Sequence, residues 1–184
     1  NAMAFRVGDA ARALRLALRR GARQVQGTIG PSELNIPAIE GIGGSLLYLV
    51  DRYGAQGIYD IDFKPIPGAV ERERSHSVGL GYIDHLTHNV KRGHMQVWAD
   101  FYQRIFNFRE SRYFNIEGSV TRLFSKAMTS PDGKIRIPLN ESQDERSQIE
   151  EYLHAYHGEG IQHVALGSAD IYGSVERMRA NGVR

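Results

Sequence analysis

Apolar residues recur along this chain in two rhythms, one of period two and one of helical period. Near the start, Ala4-Phe5-Arg6-Val7 runs through Gly8 into Asp9, and Leu14, Ala17 and Leu18 then share one helical face up to Gly21. The same grammar returns near the end. A strand over 161–166 leads to Asp170, followed by Ile171, Val175 and Met178 at helical spacing and then Gly182. The offset is constant at 161 residues, from Asp9 to Asp170, from Gly21 to Gly182 and from Arg23 to Arg184. In each copy the Asp stands where a helix is capped and the Gly where one ends, so one βα unit is expected twice.

Between the copies lies another unit of the same kind. Residues 82–90 read as a strand, and 95–106 as a helix with Trp98, Phe101, Tyr102 and Ile105 along one stripe. Three strand-like stretches follow, 108–116, 121–129 and 134–140, separated by the turn compositions Glu117-Gly118-Ser119 and Ser130-Pro131-Asp132-Gly133. The order is βαβββ. A further helix over 147–157, with Ile149, Tyr152, Leu153 and Tyr156 on one face, leads into the closing echo, where another such unit starts and is cut at Arg184. Upstream, 41–50 and 57–63 read as strands completing the first unit, while 64–81, with Pro65, Pro67, Gly68 and Glu71-Arg72-Glu73-Arg74, has linker composition. Residues 1–2 before Met3 read as a cloning scar. The expected fold is therefore α+β, made of repeated βαβββ units and incomplete at both ends. Residues 3–63 would be the end of one domain and 82–184 the first part of a second.

Composition narrows the chemistry. At 184 residues with 41% hydrophobic content the chain can bury a core, and a formal charge of +2 with no Lys/Arg block among aromatics makes nucleic acid an unexpected partner. Cysteine is absent, which excludes disulfides, thiolate nucleophiles and Cys-ligated zinc, so a metal would have to take nitrogen and oxygen ligands. The longest apolar stretch, around Ser45 to Val50, is too short to span a bilayer, and no signal segment opens the chain. No membrane partner and a cytoplasmic location are expected. No nucleophile elbow is present, and Gly41-Ile42-Gly43-Gly44 precedes a strand rather than a helix, so hydrolase and nucleotide-binding readings gain no support.

Two histidines stand out. His85 and His163 each lie in the first strand of a βα unit, so paired units would bring them face to face. Alternation puts His85 and Thr87 on one side of their strand and Asp84, Leu86 and His88 on the other, and it puts His163 and Ala165 opposite Val164 and Leu166, which are assigned to the core. The rival pair, His154 and His157 with Glu150, lies on a helix whose buried stripe is already taken, which leaves both histidines on its solvated side. His76 and His94 fall in loop-like sequence. The plain alternative for His85 and His163 is two strand histidines satisfied by local hydrogen bonds.

At this point the residues resemble a known family. Tyr82-Ile83-Asp84-His85-Leu86-Thr87-His88-Asn89-Val90, Trp98-Ala99-Asp100-Phe101-Tyr102, Ser125-Lys126-Ala127-Met128-Thr129-Ser130-Pro131 and Gly158-Glu159-Gly160-Ile161-Gln162-His163 are similar to 4-hydroxyphenylpyruvate dioxygenases. So are Pro37-Ala38-Ile39 through Arg52 and Ile58 through Phe63, and the likeness covers essentially the whole chain. It implies the vicinal oxygen chelate (glyoxalase/bleomycin-resistance-like) fold, built from paired βαβββ units. It further implies a non-haem Fe(II) dioxygenase of tyrosine and phenylalanine catabolism, converting 4-hydroxyphenylpyruvate and O2 to homogentisate and CO2. A homo-oligomer is expected separately, since the strand over 161–166 would be left with an open edge.

By the same resemblance His85 and His163 are two of three iron ligands. The third is a Glu on a strand that this chain ends before reaching, and alternation turns Glu141 away from that role. Ser125, Asn140, Gln148 and Gln162 would line the substrate pocket, with ordinary strand, turn, helix-surface or histidine-supporting roles as their alternatives. Two other functions remain open here. One is hydroxymandelate synthase, which shares ligands and substrate. The other is a catalytically incomplete, metal-poor fragment lacking the third ligand.

Overall fold

The computed structural model describes residues 2–27, 34–54, 57–117 and 122–184. The turn expected at Gly118-Ser119, Asn1 of the presumed scar, and Thr121 lie outside them.

Strand β1 (Ala2–Arg6) buries Met3 and Phe5 and exposes the residues between, the period of a strand with one covered face. At Asp9 the backbone is extended and the side chain accepts a hydrogen bond from Arg12 N at 2.7 Å, which starts helix α1 (Ala10–Arg19). Strands β2 (Gln24–Val25) and β3 (Ala38–Glu40) follow, then a 3-10 turn (Ile42–Gly44) and strand β4 (Leu46–Val50). The single strand expected over 41–50 is therefore shorter. Gly43 and Gly44 take positive φ and reverse the chain, so extended structure resumes only at Leu46.

The segment 57–63, expected as a strand, instead holds a turn of helix, α2 (Tyr59–Asp62). The Asp60 carboxylate accepts from Gly57 N at 2.6 Å, and that local bond competes with strand formation. Within the expected linker, 69–76 forms helix α3 (Ala69–His76), which buries no residue.

The second unit is β5 (Leu80–Val90), α4 (Met95–Phe106), β6 (Arg109–Glu117), β7 (Arg122–Thr129) and β8 (Arg136–Ser142). It is followed by α5 (Gln148–Ala155), β9 (Gly160–Ser168) and α6 (Ile171–Ala180). The first sheet runs β1-β4-β3-β2, and the second contains β5-β8-β7-β6 in the same relation, with the first strand of each unit parallel to its last. β9 then joins β5 antiparallel at the sheet edge.

The echo extends to single hydrogen bonds. Ala22 N donates to Ala17 O and Val183 N to Met178 O, while Gly21 and Gly182 take φ of 86° and 87°. Asp170 caps α6 as Asp9 caps α1, accepting from Gly173 N at 3.0 Å. The two complete units also share a second device. Asp51, just past β4, accepts from Ala10 N at 2.8 Å, and Glu141 on β8 accepts from Met95 N at 2.9 Å, so the end of each last strand caps the helix that follows the first.

Among the described residues, one apolar cluster joins the units. Met3, Phe5, Ile39 and Leu47 of the first sheet, Val90, Ile137 and Leu139 of the second, and Met95, Ala99, Tyr102 and Ile105 of α4 all belong to it. Phe5 meets Phe106 edge-on at 4.9 Å, and the Arg20 guanidinium donates to Ile105 O at 2.9 Å. Val164 and Leu166, assigned to a core by alternation, are instead 49% and 46% exposed, because β9 ends the sheet and carries little cover on that face.

Candidate metal centre

In the pairing of β5 with β9, Thr87 lies opposite His163 and His85 opposite Ala165. Cross-strand partners share a face, so both histidines project from one side of the sheet. Their ring centroids are 5.6 Å apart at 74°.

Each ring is held by the residue before it. The register slips once between Ile83 and His85, making Asp84 an extra residue on β5, and again opposite Thr87 and His88, making Gln162 an extra residue on β9. The Asp84 carboxylate lies 2.8 Å from His85 Nδ1 through Oδ2 and takes the Arg136 guanidinium on Oδ1 at 2.9 Å. Gln162 Oε1 contacts His163 Nδ1, and Thr87 Oγ1 lies 3.0 Å from His163 Nε2. The His163 pKa is lowered from its ordinary value, first by burial and then by the neighbouring His85. Asp84 is a correction to simple alternation, which put it on the far face. The bulge brings its carboxylate back to the ring.

The other histidines stay away. His88 is fully buried on the opposite side of β5, with Nε2 2.7 Å from the Tyr102 hydroxyl. Burial lowers its pKa from 6.5 to about 4 and drives that of Tyr102 up. His154 and His157 are exposed at the end of α5. His94 contacts Glu159, whose carboxylate also accepts from Lys91 N and Trp98 Nε1 and so pins β9 to the start of α4. Glu141, engaged with Met95 N, faces α4 and not the histidines.

Ser125 and Asn140 are register partners on β7 and β8, and Asn140 is in turn the partner of Asn89 on β5. Asn89 is two residues beyond Thr87, so this polar row lies on the histidine face, about 6.6 Å along the strands from the Thr87–His163 pair at ~3.3 Å per residue. Ser125, Asn89 and Thr87 are buried. Asn89 and Thr87 were not singled out from sequence as functional, although alternation from His85 carries the signal for both. Gln148 is exposed at the first position of α5, apart from this row.

Two imidazoles, one backed by a carboxylate, form a donor set suited to a borderline divalent metal. Among the described residues no group of three His, Cys, Asp or Glu could hold a metal ion. No described helix is long and apolar enough to cross a membrane.

Residues 82–184 match the model of the Glyoxalase/Bleomycin resistance protein/Dioxygenase superfamily, and residues 1–64 that of the N-terminal part of hydroxyphenylpyruvate dioxygenase. A 4-hydroxyphenylpyruvate dioxygenase of Pseudomonas aeruginosa is 62% identical over all of this chain and 51% of its own length. A protein named hemolysin VllY from Vibrio vulnificus is 61% identical over 98% of this chain and 51% of its own. The chain thus spans about half the length of these relatives. A solved mutant of 4-hydroxymandelate synthase from Streptomyces coelicolor shares the fold, with a TM-score of 0.80 at 24% identity over 98% of this chain and 52% of its own.

Proposed function

Since the chain belongs to the Glyoxalase/Bleomycin resistance protein/Dioxygenase superfamily, in its 4-hydroxyphenylpyruvate dioxygenase branch, we propose that His85 and His163 are two ligands of an Fe(II) centre in a protein that converts 4-hydroxyphenylpyruvate and O2 to homogentisate and CO2. The observation that carries this reading is the approach of two imidazoles, 5.6 Å between centroids, from the corresponding first strands of successive units. Bound between them, the iron would supply dioxygen activation and a Lewis-acid hold on the α-keto acid. The third ligand, a glutamate by resemblance, would come from protein outside the residues described.

The chain's own residues do the rest. Ser125, Asn140 and Asn89 offer a row of neutral donors and acceptors on the histidine face, suited to a phenol and a keto acid without adding charge beside the metal. Gln162 has Oε1 toward His163 and keeps its amide N–H groups to donate to a bound substrate. Gln148, exposed on α5, would reach the substrate only where further chain closes the pocket over it. Thr87 and Asn89, both buried, would form the floor of the site.

The test uses the protein extended to the length of its relatives, titrated anaerobically with Fe(II) and assayed for homogentisate. His85→Ala and His163→Ala should each lower iron affinity by about 100-fold or more and abolish turnover, since loss of even a supporting group typically costs about 10–100-fold. His154→Ala should leave both unchanged. Tight stoichiometric iron in His85→Ala or His163→Ala would overturn the assignment. The 184-residue chain alone should bind Fe(II) weakly and form no homogentisate.

A further inference from the structure

We propose that Asp84 and Gln162 are positioning residues: each is the extra residue of a β-bulge immediately before a ligand histidine, accepts that histidine's Nδ1 proton, and so presents its Nε2 to the metal. The inference rests on the reading of His85 and His163 as ligands, but it concerns the state of the two rings before any metal arrives.

The arrangement repeats on two strands that run in opposite directions. On β5 the bulge falls at Asp84, on β9 at Gln162, and in both places it undoes alternation for one residue. A side chain that regular pleating would send to the far face instead curls onto the ring beside it. The acceptor is an oxygen in both cases, Asp84 Oδ2 at 2.8 Å from His85 Nδ1 and Gln162 Oε1 against His163 Nδ1. A carboxylate can only accept, so His85 must carry its proton on Nδ1 when neutral, which leaves the Nε2 lone pair free.

The contact at the other nitrogen of His163 fits this tautomer, since Thr87 Oγ1 is 3.0 Å from Nε2 and a hydroxyl donates there when the ring proton is on Nδ1. In that arrangement the Thr87 hydroxyl occupies the lone pair that a metal would take, and would rotate away when one binds. Arg136 fixes the free oxygen of Asp84 at 2.9 Å, which keeps the carboxylate turned toward His85. The two supports differ in charge. Asp84 holds its ring with a charged carboxylate, whereas Gln162 orients its ring without adding a negative charge.

The experiment is ring-nitrogen NMR of the metal-free chain labelled with 15N-histidine, above the titration range of its histidines, with signals assigned from His85→Gln and His163→Gln. Both rings should appear as the Nδ1–H tautomer. Asp84→Ala should convert the His85 signal to a mixture of tautomers and lower Co(II) affinity about 10–100-fold, while Asp84→Asn, which keeps an acceptor oxygen, should retain the tautomer and most of the affinity. Gln162→Ala and Gln162→Glu should behave in the same way at His163. An Nε2–H tautomer on either ring of the unsubstituted chain overturns the proposal, as does an unchanged tautomer in both alanine variants. If the tautomers are as stated but Co(II) moves neither ring's signals, Asp84 and Gln162 still fix the two rings, and the ligand assignment, with the presentation of Nε2 to a metal, falls.

Discussion

His88 lies three residues from His85 and has the opposite environment. Its ring is sealed against α4 and its pKa is lowered from 6.5 to about 4 by burial, so the folded protein holds it neutral. A lowered folded-state value means that the unfolded chain takes the proton first as pH falls. The contribution is therefore complete above about pH 6.5 and lost progressively toward pH 4, by roughly 3 kcal/mol for a shift of this size. Urea unfolding at pH 7 and at pH 4.5 should show this loss, and it should shrink in His88→Gln. Tyr102→Phe should cost about 1–3 kcal/mol at pH 7, the price of leaving a buried imidazole nitrogen without its hydroxyl partner. Gly43 is constrained on two counts, since its φ is 59° and an added Cβ would lie 1.9 Å from Glu159 O. Gly43→Ala should destabilise by about 2–4 kcal/mol through backbone strain and overlap together, read from the denaturation midpoint. Single residues were legible in sequence where alternation holds, which is why His85 and His163 separate cleanly from His88. Asp84 was not legible, because a bulge leaves no mark in the hydrophobic pattern.

Among the elements, α4 was the clearest from sequence alone, since Trp98, Phe101, Tyr102 and Ile105 repeat at helical spacing over its full length of Met95–Phe106. The short apolar run at 57–63 fits a strand and a helical turn equally well by pattern, and the Asp60 side chain decided it. β2, at two residues, is set by its partner β3 rather than by its own composition. The caps divide in the same way. Asp9 and Asp170 announce themselves locally, whereas Asp51 and Glu141 reach their helices only after the sheets form. Asp9→Ala and Glu141→Ala should each cost about 1 kcal/mol in thermal or urea unfolding. Glu141→Ala should also leave Fe(II) affinity within a few-fold of the original, in the chain and in its extended form. A loss approaching that of His85→Ala would show that Glu141 belongs to the metal site after all.

At the scale of the molecule, the 161-residue echo revealed the repeated unit, and the matching strand orders of the two sheets are its three-dimensional form. What the sequence withheld is how the units are joined, because a shared core depends on which apolar faces meet and not on the faces themselves. β9 ends its sheet, and Val164, Leu166, Ile171 and Tyr172 are exposed around it. The chain should therefore self-associate as its concentration rises, and Val164→Lys with Leu166→Lys should hold it monomeric in sedimentation experiments. The shared core has a further consequence for α3, the exposed helix that is the covalent tie between units and buries none of its residues. Trypsin should nick the native protein there, at Arg72 or Arg74, well before it cuts the sheets. Because Phe5, Ile39 and Leu47 remain seated against the α4 side of the second unit, the two pieces should still elute together and come apart only in denaturant, so that the chain tolerates the loss of its own continuity at this point.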